Sequence, residues 1–176
     1  MKVALIAIDD MGEALLLRAQ LESMGATVHL HPVGRPSDFF NALDASGEAS
    51  DVALICGHGD ERGFVFAPLA EGVDDLVLPG NRLGADLLAE RLRTVPPVVI
   101  STACDTARTP IVSTFHDAGA TTYIAPSGYP DGASVPVLLN LAFYRVIHAR
   151  ASWQAAIKAA NTFFTIENWF DVHLHR

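Results

Sequence analysis

Two short segments concentrate the residues able to do covalent chemistry. One is Gly57-His58-Gly59 and the other is Ser101-Thr102-Ala103-Cys104. Each closes an apolar run, Asp51 to Cys56 and Val98 to Ala103, with the length and composition of a buried parallel strand. An imidazole and a thiol at neighbouring strand ends form a general base and a nucleophile. A thiol with the ordinary pKa of about 8.5 is only slightly ionised at neutral pH, so it needs a base to attack a carbonyl. Glycines on both sides of His58 let a substrate backbone approach closely. The backbone N–H groups of Gly59 and Cys104 are the donors available to an oxyanion. Small Ala103 keeps the approach to Cys104 open, and after acyl transfer the same His58 could activate water. A cysteine ending an apolar strand is also commonly a plain core residue, and a strand-end histidine is often structural. Spacing alone leaves both readings open.

The remaining elements alternate strand and helix, which predicts an α/β fold: a doubly wound, mostly parallel sheet with helices on both faces. Val3 to Ile8 reads as a first strand, followed by a helix over Gly12 to Met24 that stops at Gly25. Ala26 to Leu30 reads as a second strand, Pro32 to Pro36 as a break, and Ser37 as the cap of a short helix to Leu43. Phe64 and Phe66, then Leu76 and Leu78, alternate with other residues and predict a small β-hairpin insertion near 63–78. Helices follow over Asn81 to Arg93, Ile111 to Ala118, Ala133 to His148 and Ser152 to Phe164, with a strand over Thr121 to Ala125. In open parallel sheets function gathers at the carboxyl ends of the strands, where His58 and Cys104 fall.

Composition narrows the classes. Half of the 176 residues are hydrophobic and 18% are charged, enough apolar surface to exclude disorder and to build one domain over 1–176. The greasiest run, Val135 to Ala149, is broken by Asn140, Arg145 and His148, so no membrane span is expected. Twenty acidic against 12 basic residues give a formal charge of −8, the wrong sign for a nucleic-acid binder. The first apolar run meets Asp9-Asp10 too early for a signal peptide. With only Cys56 and Cys104 present, a cytoplasmic, reducing setting without disulfides is expected. Cys56 reads as a bystander inside the sheet. No cofactor motif is present, and His173-Leu174-His175 reads as a solvated tail rather than a metal site.

The run Val52 to Gly59 resembles the histidine motif of caspase-like (clan CD) cysteine peptidases, and Val98 to Cys104 resembles their nucleophile motif. The pattern is most similar to the CHAT domain, whose nucleophile segment reads Ser-Ala-Cys-x-Thr-Ala or -Gly. Here the chain has Thr102-Ala103-Cys104-Asp105-Thr106-Ala107. Gly119 to Ser127 and the helices around Phe143-Tyr144 and Ala155 to Asn161 are similar to later segments of that family, so the match runs roughly from Ala49 to Asn161. The resemblance implies a His58/Cys104 dyad that hydrolyses peptide bonds without a metal or other cofactor. Relatives that cut after basic residues line their specificity pocket with acids. Asp131 stands where they carry an acidic pair, which implies cleavage after Arg or Lys, with Asp105 as a further substrate-binding candidate. The helical repeats that accompany many relatives are absent from this sequence, which implies an activating or targeting protein partner beside the peptide substrate.

Two alternatives use the same residues. Val3 to Gly25 with Asp9-Asp10 also resembles the opening of a response-regulator receiver domain. However, Cys56-Gly57-His58 stands where the phospho-acceptor aspartate is expected, and Pro126 where the lysine is expected. A non-catalytic caspase-like interaction module is the other alternative. Asp9 and Asp10 are candidates to orient His58, or they are simply a polar strand end.

Overall fold

The computed structural model describes residues 1–9, 11–164 and 169–175. In chain order the elements are β1 (Lys2–Ile8), α1 (Met11–Ser23), β2 (Thr27–Val33), α2 (Pro36–Ser46), β3 (Val52–Cys56), β4 (Gly59–Asp60) and β5 (Gly63–Val65). They continue with β6 (Arg82–Leu83), α3 (Ala85–Arg91), β7 (Val98–Ser101), α4 (Thr109–Asp117), β8 (Thr122–Pro126), α5 (Ser134–Ile147), α6 (Trp153–Phe163) and β9 (Phe170–Leu174). The main sheet has six strands in the order β2-β1-β3-β7-β8-β9. Every neighbouring pair is parallel except β8 and β9. The strand order reverses around β1, as in a doubly wound sheet.

Alternation along the central strands divides the core in two. Ile6 and Ile8 of β1 and Ala53 and Ile55 of β3 face one layer with α2, α3 and α4. Val3, Leu5 and Ala7, with Val52, Leu54 and Cys56, face the other layer with α1, α5 and α6. Because both faces are covered, the central strands are apolar at nearly every position, which is why they are plain in the sequence. On the first side Phe39 packs on Phe64 and Phe115 stacks on Tyr123, with centroids 5.5 and 4.9 Å apart. Among the described residues no helix is long and apolar enough to cross a membrane.

Several local expectations need correction. β2 runs on to Val33 and includes Pro32, which the expected break at Pro32 did not allow. β2 is an edge strand, where one row of backbone donors lacks a strand partner and proline is tolerated. α2 begins with Pro36 in its first turn, and Ser37 is not its cap. The Ser37 N–H and hydroxyl instead both donate to Asp74, at 2.9 and 2.8 Å, pinning a distant loop to the helix start. The small antiparallel sheet is present, but β5 pairs with β4 and β6 rather than with Leu76 to Leu78. Gly63 makes this pairing possible: at φ +129° an added Cβ would stand 2.1 Å from the Leu83 carbonyl oxygen. Drawing Arg82–Leu83 into that sheet also shortens the helix expected from Asn81, since α3 starts only at Ala85.

The expected solvated tail is a strand. β9 pairs antiparallel with β8, Tyr123 facing His173, and the His175 ring stacks on His116 at 5.1 Å. His173 is half-buried, and its Nε2 has no hydrogen-bond partner. Burial lowers its pKa, Asp171 opposes that, and His116 adds to it. Burial and then His29 lower His31 as well. A histidine held below its unfolded pKa leaves stability intact while both states are neutral. As pH falls past about 6.5 the unfolded chain takes the proton first, and stability is lost. Acidification from about pH 7.5 to about 5.5 is therefore expected to lower Tm, and His173→Gln to shrink that drop. Thermal melts of both proteins at the two pH values check this, and an equal drop in the variant would count against it.

Candidate active site

The carboxyl ends of β3 and β7 lie side by side, because those strands pair in register with Ile55 opposite Ser101. The chain leaving β3 carries Gly57 and exposed His58, and the chain leaving β7 carries Thr102 and part-exposed Cys104. Both line one cleft of about 200 Å³. Glu13 from the first turn of α1, Pro130 and Gly132 from the loop after β8, and Val135 of α5 complete its walls.

The two loops touch through Gly59. A Cβ there would stand 2.6 Å from the Cys104 carbonyl oxygen and 2.9 Å from the Ala103 side chain. The close approach that sequence reasoning assigned to a substrate backbone is thus taken by the Cys104 loop itself. Val65 N–H donates to the His58 carbonyl at 2.9 Å, and Gly59 lies opposite Phe64. Antiparallel alternation then turns the Gly59 N–H away from β5.

A relay of hydroxyls holds the turn into Cys104. Ala103 N–H donates to Ser101 Oγ at 3.1 Å, Ser101 and Thr106 hydroxyls meet at 3.0 Å, and Thr106 Oγ1 donates to the Ala103 carbonyl at 2.8 Å. These bonds replace the ladder that β7 gives up after Ser101, two residues before the expected strand end. Asp105 N–H donates to the Gly128 carbonyl at 2.9 Å, which joins the turn to the loop after β8.

Glu13 and Thr102 bridge α1 to the sheet. Thr102 Oγ1 donates to Glu13 Oε2 at 2.7 Å and accepts the Gly57 N–H at 3.3 Å. Sequence reasoning missed Glu13, which looked like an ordinary helix residue. Its position directly after the carboxyl end of β1, where sites gather, is the signal that could have found it. Burial pushes the Cys104 thiol up, its own backbone N–H pulls it down, and the Glu13 and Asp105 carboxylates push it up again. The net result is a thiol above its ordinary value. Cys56 is fully buried, and burial drives its thiol much higher, with Glu13 adding to the effect.

The other candidates are dispersed. Asp131 is exposed at the cleft rim between Pro130 and Gly132, and its carboxylate accepts the Ser134 hydroxyl at 3.0 Å. Asp105 is buried, and its carboxylate is gripped by Arg108 rather than lining the cleft. The Asp9 carboxylate accepts the Ala67 N–H at 2.6 Å, tying down the loop after β5, and Asp10 lies outside the described residues. Among the described residues no group of three or more His, Cys, Asp or Glu side chains is placed to hold a metal ion.

No family model and no curated protein matches the sequence. Solved structures do match. The Arg-specific cysteine proteinase gingipain R superposes with a TM-score of 0.63 at 11% identity, over 97% of this chain and 45% of that one. A secreted C11 cysteine protease from Bacteroides thetaiotaomicron, solved with an irreversible peptide inhibitor, superposes with a TM-score of 0.58 at 14% identity, over 98% of this chain and 66% of that one. The chain thus spans less than half the length of the first and about two thirds of the second. With its parallel sheet, two helical layers and small antiparallel sheet, it has the caspase-like fold of these clan CD cysteine proteases.

Proposed function

We propose that the chain is a cysteine peptidase using Cys104 as nucleophile and His58 as general base and acid. The observation that carries this reading is that both residues line one cleft, with their two loops in contact at Gly59. Because the thiol sits above its ordinary pKa, it rests neutral, so His58 must take its proton as Sγ attacks the scissile carbonyl. The Gly59 and Cys104 N–H groups receive the negative charge on the carbonyl oxygen. His58 then returns the proton to the leaving amine, giving a thioester. In the second half-reaction His58 removes a proton from water, hydroxide adds to the thioester carbon, and Cys104 leaves and is reprotonated. One peptide bond and one water are consumed, and the dyad is regenerated.

Arg or Lys is the side chain we assign to the residue before the scissile bond. Glu13 offers a carboxylate inside the cleft and Asp131 a second at its rim, and a cationic group entering there meets negative charge in a partly desolvated space. Within the fold, the likeness of Thr102 to Ala107 to the CHAT nucleophile segment supports a place near that branch. Turnover of fluorogenic peptides carrying Arg, Lys, Asp or Leu before the scissile bond tests the proposal. Cleavage of the Arg and Lys peptides is expected. A folded chain that cleaves none of them would favour the non-catalytic interaction module instead.

A further inference from the structure

Asp105, directly after the nucleophile, has a left-handed backbone at φ +56° and is buried. Non-glycine residues adopt this conformation rarely, aspartate and asparagine most readily. A buried carboxylate also needs compensation. Arg108 supplies it: the guanidinium grips Asp105 with two nitrogens, Nε at 2.8 Å and a terminal nitrogen closer still. Arg108 stands immediately before α4, so this grip fastens the nucleophile turn to the start of a helix. Beside Arg108 lie Glu61, three residues past His58, and Tyr129, next to Pro130. The Tyr129 hydroxyl donates to Glu61 at 3.1 Å, so the same corner joins the His58 loop to the loop after β8.

From this geometry we propose that Arg108 is a positioning residue for Cys104, acting through Asp105. It holds the turn in its strained shape and offsets part of a negative charge next to the nucleophile. The inference rests on the reading of Cys104 as nucleophile. It explains why an acid stands beside a thiol that must become negative: the carboxylate keeps the turn, and Arg108 offsets part of its charge, so that only a residual push reaches the thiol. After burial and Glu13, the Asp105 carboxylate also pushes the thiol up. Among the described residues, the other charged or titratable groups at the cleft are Glu13 from α1 and His58 from the loop after β3, with Asp131 on the loop after β8 at its rim; these stay unchanged in the variants below.

The test is the rate of iodoacetamide alkylation at Cys104 as a function of pH, read by peptide mass mapping, in wild type, Arg108→Ala, Asp105→Asn and the double variant. Iodoacetamide needs neither a substrate pocket nor turnover. Arg108→Ala leaves the carboxylate uncompensated and is expected to raise the apparent thiol pKa, slowing alkylation at neutral pH by up to about tenfold. Asp105→Asn keeps a residue type that tolerates the turn and removes the charge, so the double variant should regain at least the wild-type rate. A purely structural role predicts the reverse, with the double variant as impaired as Arg108→Ala or worse. That result would overturn the proposal, as would an unchanged rate in Arg108→Ala. The expected pattern in a chain that cleaves no peptide would keep Arg108 as a positioning residue and remove the peptidase reading alone.

Discussion

Cys104→Ala is expected to abolish peptide turnover, and His58→Ala to reduce it by about 10³-fold or more, while both variants melt within a few degrees of the wild type. The contrast between activity and stability follows from exposure. His58 is exposed and Cys104 part-exposed at a cleft, so truncating either leaves no enclosed cavity. The size of the His58 effect follows from the state of the thiol. A cysteine resting as a thiolate would attack without a base, but burial, Glu13 and Asp105 keep Cys104 neutral. Residual activity of His58→Ala should therefore climb about tenfold per pH unit as hydroxide takes over the proton, until the thiol itself has titrated. Cys56→Ala should show the opposite pattern. Cys56 is fully buried in the layer with α1, α5 and α6, so its loss weakens the fold but leaves turnover per folded molecule intact. Steady-state kinetics across pH with matched thermal melts separate these outcomes. A flat pH profile for His58→Ala at wild-type rate would remove the base from the mechanism.

The elements legible in the sequence were those with one dominant cause. β1, β3, β7 and β8 are buried on both faces and read as predominantly apolar runs. His58 and Cys104 were visible for the same reason, as polar residues just past such runs. What stayed hidden depends on contacts between distant segments. β9 carries His173 and Asp171 on a half-buried edge, so its pattern looked like a tail. Ser37 resembled a helix cap until Asp74, from another loop, claimed its hydroxyl. Thr102 and Glu13 meet across 89 residues of sequence separation. No local pattern encodes that contact, yet it puts the only carboxylate lining the cleft, among the described residues, on the same cleft as Cys104.

That carboxylate supports the prediction with the most unusual sign. Glu13→Gln is expected to speed alkylation of Cys104 severalfold at neutral pH while lowering kcat/KM for Arg peptides by about 10²-fold or more. Burial is the main cause of the raised thiol, and Glu13 adds to it through its charge. Removing that charge with a side chain of the same shape makes the thiolate easier to form. Glutamine keeps an oxygen to accept the 2.7 Å bond from Thr102, so the wall of the cleft should hold. Turnover moves the other way because the same charge is what a cationic substrate meets. On the proposed reading, an arriving Arg or Lys would neutralise Glu13, and the thiol beside it would become more acidic only once that side chain is seated. Recognition would then act on the chemical step as well as on binding, so the loss should appear in kcat and not in KM alone. Peptides with Leu at that position cannot neutralise Glu13, and the variant should cleave them no more slowly than the wild type does. If alkylation and Arg-peptide cleavage fall together, Glu13 is holding the cleft rather than reading the substrate.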